Sequence, residues 1–163
     1  MVLDPYSKYL FSTEYSYDIS ADLYKVDSET MTQSNILSIP SPGLTDEFAV
    51  TETHLFLGTE DSTRKIYKIN KNTFAFDSSI TLPVDVTPCY GLTYDGKYIW
   101  GTYATVPGKL LRLNPDNMSY VVFDLDSSIN NINGFIIDDY RIFLTSWEYP
   151  AKISRLNKSN YIT

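Results

Sequence analysis

Side chains able to make or break bonds are scarce in this sequence, and they do not gather. The chain has one histidine, His54, and one cysteine, Cys89, among 163 residues. Nucleophilic or metal-assisted catalysis needs His, Cys or paired carboxylates converging on one point. His54 ends the segment Thr51-Glu52-Thr53-His54, a hairpin turn in which a solvated side chain is expected. Cys89 follows Pro88 with no histidine near it in sequence, and reads as a small buried thiol. A lone cysteine forms no internal disulfide, and with a single histidine it cannot complete a structural zinc site within one copy of the chain. Asp124 and Asp126 alternate at a strand end before Ser127 and Ser128. They could offer oxygens to calcium, but the glycine and the terminal glutamate of a calcium loop are missing, so a solvated acidic loop is expected. No catalytic residue, no metal ligand and no cofactor is assigned.

Two sets of polar side chains recur along the chain. Lys25, Lys68, Arg112 and Arg155 are spaced by 43, 44 and 43 residues, and Thr13, Thr59, Thr102 and Thr145 by 46, 43 and 43. A residue repeated once per unit is expected to serve the scaffold: the basic stems lie over apolar surface with their charges in water, and the threonine hydroxyls satisfy backbone groups. Specificity has to come from positions that vary. These are Glu14 to Asp18, Glu60 to Arg64, Tyr103 to Pro107 and Ser146 to Pro150, beside the connections near Pro40 to Glu47, Thr87 to Tyr90 and Ser128 to Asn133. One face should gather Tyr15, Tyr17, Tyr103, Trp147, Glu148 and Tyr149, the expected binding residues, with Tyr90, Glu14 and Asp61 beside them. Aromatics next to carboxylates stack on sugar rings and bond their hydroxyls, and the same set seats protein partners.

The elements that would hold such loops follow from self-similarity. The block Leu10 to Thr13 returns as Phe56 to Thr59, Ile99 to Thr102 and Ile142 to Thr145. A second block, Leu23 to Asp27, returns as Ile66 to Asn70, Leu110 to Asn114 and Ile153 to Asn157. Two blocks keeping one period of about 43 residues define four repeats. In the third repeat, Gly91 to Tyr94 and Lys97 to Thr102 are strands around an Asp95-Gly96 hairpin turn. Lys109 to Asn114 is a third strand, Asn114-Pro115-Asp116-Asn117 a turn, and Tyr120 to Leu125 a fourth strand. Corresponding turns are expected at Asp27 to Thr30, Asn70 to Thr73 and Asn157 to Asn160. Runs such as Leu55-Phe56-Leu57 and Tyr98-Ile99-Trp100 are apolar without alternation, which requires cover on both faces. Radial stacking of four-stranded meanders supplies that cover.

The segment GLTYDGKYIWGTYATVPGKLLRLNPDNM, Gly91 to Met118, resembles one blade of the NHL, YVTN and quinoprotein-like group of β-propellers. WD40 signature pairs (Trp-Asp, Gly-His) and kelch-type double glycines do not occur. The resemblance implies an all-β propeller but carries over nothing about activity, because that group holds lyases, lactonases, cofactor-binding dehydrogenases, sensors and adhesion modules. The chain is expected to be a single propeller domain, residues 1–163, with blades near 1–46, 47–89, 90–132 and 133–163. Three arrangements stay open: a four-bladed ring, an arc that pairs with another copy or chain, or an arc within a longer protein.

Composition narrows the partners. A net charge of −7, with basic residues scattered singly, disfavours nucleic acid. No apolar run approaches the ~18 residues of a membrane span, so neither an anchor nor a signal peptide is expected. With 43% hydrophobic and 20% charged residues the chain should fold as a soluble domain, without membrane insertion. The expected function is a non-enzymatic binding module in a larger assembly such as a virion, phage tail or cell surface. It would recognise protein or glycan through the aromatic loop face, with self-association or further blades at an open edge. The alternative is part of a larger propeller enzyme or cofactor-binding protein whose catalytic residues lie elsewhere.

Overall fold

The structure, a computed structural model, describes residues 1–13, 21–40, 44–59, 64–85, 89–147 and 149–162, with backbone alone at 44–47, 89 and 90. It is all-β. The first sheet runs β1 (Val2–Leu3), β2 (Tyr9–Thr13), β3 (Ala21–Asp27), β4 (Gln33–Ile39), each strand antiparallel to the next. The second is β5 (Leu44–Val50), β6 (His54–Thr59), β7 (Lys65–Asn70), β8 (Ala75–Thr81), and the third β9 (Cys89–Tyr94), β10 (Ile99–Tyr103), β11 (Lys109–Leu113), β12 (Tyr120–Asp124). The fourth has three strands among the described residues, β13 (Ile132–Ile137), β14 (Arg141–Ser146) and β15 (Ile153–Asn157), and continues into a 3-10 turn, Lys158–Tyr161.

The turns between third and fourth strands follow the sequence reading. Asp27, Asn70 and Asn114 each accept a backbone N–H two residues ahead through Oδ1, and Asn157 does the same before the 3-10 turn. Asx side chains favour such turns for this reason. The fifth residue of the first three turns has a left-handed backbone that nothing in the sequence signals. Met31, Phe74 and Met118 donate their N–H to the carbonyl four residues back, with φ of 55°, 53° and 60°. Bulky residues rarely accept that left-handed conformation. The Asp95-Gly96 hairpin is also wider than a two-residue turn: the Tyr94–Ile99 pair encloses four residues, and of these Gly96 alone has positive φ, at 92°.

Apolar strands covered on both faces are the central expectation, and the second and third sheets meet it. Leu55 and Leu57 of β6 pack with Phe11, Leu23 and Ile39 of the first sheet, while Phe56 points the other way and packs with Leu92, Ile99 and Leu111 of the third. Ile99 of β10 faces the second sheet; Trp100 faces the fourth, against Ile132, Ile142 and Leu144. Four sheets thus share three cores. The described residues hold no core between the fourth sheet and the first, and Ile136 and Ile153 on the outer face of the fourth are 72% and 77% exposed. Among the described residues the blades form an open arc.

Cross-strand pairing corrects the repeat alignment. Each recurring basic residue lies opposite an aromatic one: Lys25 pairs with Phe11, Lys68 with Phe56, Arg112 with Trp100 and Arg155 with Phe143. The equivalent of Phe11 and Trp100 is therefore Phe56. Matching threonine to threonine had put Leu57 there, one residue out of frame, and a one-residue slip moves every side chain to the opposite face.

Two buried ion pairs cross between sheets. Lys71 Nζ donates to both Asp4 oxygens at 2.9 and 2.8 Å, and Lys158 Nζ lies 2.7 Å from Asp95 Oδ2. Asp95 Oδ2 also accepts Trp100 Nε1, and its Oδ1 accepts the N–H groups of Lys97 and Tyr98. Burial alone would raise the carboxyl pKa values. The bond from Lys71 at Asp4, that from Lys158 at Asp95, and the neighbouring hydroxyl, N–H and indole donors outweigh it and hold both below the ordinary value.

Phe56→Ala is expected to cost about 3–5 kcal/mol of unfolding free energy in denaturant titration, and Ile136→Ala less than about 0.5 kcal/mol; equal losses would contradict the uncovered fourth face. A depressed carboxylate stabilises the fold above its unfolded pKa and loses that contribution as the pH falls through its folded pKa. Asp95→Asn should therefore lower stability at pH 7 by about 3 kcal/mol and flatten its decline below about pH 4.

Candidate functional site

The blade geometry puts the connections between second and third strands on one end of the arc. The loop after β14 carries two of the expected binding residues, Trp147 and Tyr149. Its base is pinned by Ser146 N–H donating to Lys152 O at 3.1 Å and by Trp147 N–H donating to Asn131 O at 3.3 Å. Above that base Trp147 is 57% exposed and Tyr149 fully exposed. Ser146 and Lys152 of that base also line a narrow cleft with Ser128, Asn130 and Thr145. Asn130 Oδ1 and Ser146 Oγ are buried there without a hydrogen-bond partner among the described residues. Buried oxygens are nearly always bonded, so a donor group entering this cleft would find two acceptors.

The other expected binding residues fare differently. Tyr15, Tyr17 and Glu148 lie outside the described residues, as do Glu14 and Asp61, and the side chain of Tyr90 is likewise not described. Tyr103 corrects the reading. It is the last residue of β10 rather than a loop residue, and it is fully buried in the core between second and third sheets. The strand runs one residue past the expected Thr102 end, which turns Tyr103 onto the blade face.

His54 also departs from the solvated turn expected for it. It opens β6, with 18% of its side chain exposed, Nε2 3.3 Å from Asp77 Oδ2 and Nδ1 2.7 Å from Thr53 Oγ1. Lys68 Nζ reaches the same Asp77 oxygen at 3.5 Å. Burial first, and repulsion from Lys68 second, hold the imidazole pKa below its ordinary value against the attraction of Asp77. These contacts tie the start of β6 to β8, a structural role. The side chain of Cys89 lies outside the described residues. Asp124 is exposed and paired with Lys109, and Asp126 accepts from Ser128, as in a solvated acidic loop.

The recurring cations do more than float their charges in water. Lys25 Nζ donates to Lys71 O in the next sheet at 3.2 Å and sits 4.1 Å over the Tyr9 ring. Arg112 Nη1 donates to Tyr161 O in the next sheet at 2.6 Å and stacks over Tyr98 and Phe123. Lys25 and Arg112 are ties between blades. Two threonines match their expected role: Thr59 Oγ1 accepts Lys65 N–H, and Thr145 Oγ1 donates to Gly134 O. Thr102 Oγ1 is buried without a hydrogen-bond partner among the described residues.

Neither a family model nor a curated protein matches this sequence. Solved structures do, and they are β-propeller proteins. Hydrazine synthase of Kuenenia stuttgartiensis superposes with a TM-score of 0.80 at 12% identity, over 97% of this chain and 45% of that one. The WD40 repeats of RRP9 give 0.72 at 14% identity over 96% and 49%, and BamB from Moraxella catarrhalis 0.61 at 14% over 86% and 38%. Likeness at such identity defines the fold: these sheets are propeller blades. The chain spans less than half the length of the three proteins named. No helix among the described residues is long and apolar enough to cross a membrane.

Because the folded imidazole binds its proton less readily than the unfolded one, the stability linked to His54 is complete above about pH 6.5 and falls as the pH drops through that value. His54→Gln should flatten the slope of stability between about pH 7 and 5, and the His54 ring protons should titrate with a midpoint below about 6.5 in NMR spectra. A midpoint above 6.5 would mean that Asp77 dominates.

Proposed function

We propose that this chain is a non-catalytic binding module that offers the loop from Ser146 to Lys152 to a glycan or to a protein surface. One observation carries the reading: Trp147 and Tyr149 stand exposed on a loop whose hydrogen-bonded base, Ser146 and Lys152, lines a cleft with two buried acceptor oxygens. A sugar face can stack on the rings while one of its hydroxyls donates into the cleft, which has room for a group about the size of one water. A protein loop could use the same anchors, since exposed Trp and Tyr are the side chains most often dominant in interfaces. Tyr15 and Tyr17, on the equivalent loop of the first blade, and Glu148, between Trp147 and Tyr149, belong to this reading as candidate neighbours. The richness in Ser, Thr, Asn and Tyr supports placement on an exposed assembly such as a virion, phage tail or cell surface.

A second reading, that the chain contributes blades to a larger propeller bearing a catalytic site, is favoured by the uncovered outer face of the fourth sheet and by the chain spanning less than half of the named structural neighbours.

Screening on a glycan array and against candidate protein partners should yield a ligand whose affinity falls about 30-fold or more in Trp147→Ala and in Tyr149→Ala, with thermal stability unchanged. Full affinity in both variants would remove the loop from the binding site.

A further inference from the structure

The buried ion pairs obey a rule that extends past the last sheet described. Hydrogen bonding makes the positions equivalent from blade to blade. Asp4, Thr51, Asp95 and Asp138 each open the turn between first and second strands, donating the backbone N–H to Tyr9, His54, Tyr98 and Arg141 O, respectively. Their side chains all serve that turn: Asp4 Oδ1 accepts Tyr6 N–H, Thr51 Oγ1 accepts His54 N–H, and the two later aspartates accept the N–H groups two and three residues ahead. A second set of equivalent positions follows the third strand. Ser28, Lys71 and Lys158 donate their N–H to Lys8, Thr53 and Tyr140 O, and Pro115 stands there in the third blade.

Reading each turn against the next blade gives Asp4 with Lys71, Thr51 with Pro115, and Asp95 with Lys158. A carboxylate stands where the following blade brings a lysine, and a threonine where it brings a proline. Thr51 shows that the turn itself needs no charge, so the carboxylates answer the lysines. Asp138 repeats the Asp95 arrangement: Oδ1 accepts Tyr140 and Arg141 N–H at 2.7 and 2.6 Å, and Oδ2 takes no hydrogen bond from the described residues. Here the carboxylate is exposed.

The surface beside Asp138 is the same kind of face that the first three blades bury. Its Phe143–Arg155 cross-strand pair corresponds to Phe11–Lys25, Phe56–Lys68 and Trp100–Arg112, whose aromatic members all sit in cores against the next blade. Ile136 and Ile153 flank it. Arg155, whose counterparts Lys25 and Arg112 donate to carbonyls of the following blade, lines a solvent-open groove with Tyr140 and Ile162.

We infer that the outer face of the fourth sheet docks a further propeller blade that carries a lysine directly after its third strand and sets that lysine against Asp138. The occupant is such a blade and not a second copy of this chain, because the first sheet of a second copy would bring Ser28 to that position. This goes beyond the binding reading and uses a different surface from the Trp147 loop.

The test extends the full chain with a second copy of its own residues 120–163. That segment opens with a fourth strand and ends in a blade whose Lys158 copy falls opposite Asp138. Docking should raise Tm by about 5 °C or more in one cooperative transition. Asp138→Asn keeps the Oδ1 acceptor and removes the charge. In the extended chain it should cancel about half of that gain, as should methionine in place of the appended lysine, and the two together should cost no more than either alone. In the chain without the extension Asp138→Asn should shift Tm by less than about 1 °C. An appended repeat that leaves Tm unchanged, or a gain indifferent to both substitutions, overturns the proposal. So does a dimer of the unextended chain in light scattering that Ile153→Asp dissociates, since a second copy would then hold this face. None of these results bears on ligand binding at Trp147, which is read separately.

Discussion

A β-meander with apolar side chains on both faces cannot stay folded alone, because one face or the other meets water whichever way it turns. Stacking is the way out, and in this chain each interior sheet is covered in front and behind. Leu55 and Leu57 take one side of β6 and Phe56 the other; Ile99 and Trp100 divide β10 in the same way. Burial is roughly proportional to area removed from water, so it drives the stacking without choosing among similar faces. It explains why the blades stack, and not why each is held in one position on its neighbour.

That choice falls to polar ties at the blade rims. A buried ion pair adds little net stability, since desolvation offsets most of the attraction, but a mismatched partner leaves a buried charge uncompensated and is costly. Asp4 with Lys71 and Asp95 with Lys158 penalise wrong registers and orders of blades. Lys25 and Arg112, donating to backbone carbonyls of the next sheet, fix depth and tilt in the same manner. The tied rims are those of the turns after first and third strands, so the loops between second and third strands, at the opposite end, are free to differ from blade to blade.

Physical reasons separate what was legible in the candidate site from what was not. Trp147 and Tyr149 could be placed on the loop face from the repeat frame alone, since a hairpin connection between known strands has one end to project from. Tyr103 could not, because its strand runs one residue further than the pattern suggested, and in a strand one residue decides between solvent and core. His54 was misjudged for a related reason. It begins a strand instead of ending a turn, so Asp77, 23 positions along the chain and on β8, comes within 3.3 Å. No local pattern announces a partner that distant.

By itself the sequence determined the period, the four meanders, the Asx turns after each third strand and the need for cover on both faces, because each rests on local propensity or on side-chain alternation within a few residues. Tertiary structure alone decided the frame of the second blade, where Phe56 and not Leu57 faces Lys68; the lysine that answers each carboxylate; and the exposure of the fourth sheet's outer face. The first is settled by strand register between β6 and β7, and the other two by which surfaces meet between blades; chain order does not encode such a contact until folding has brought its two halves together.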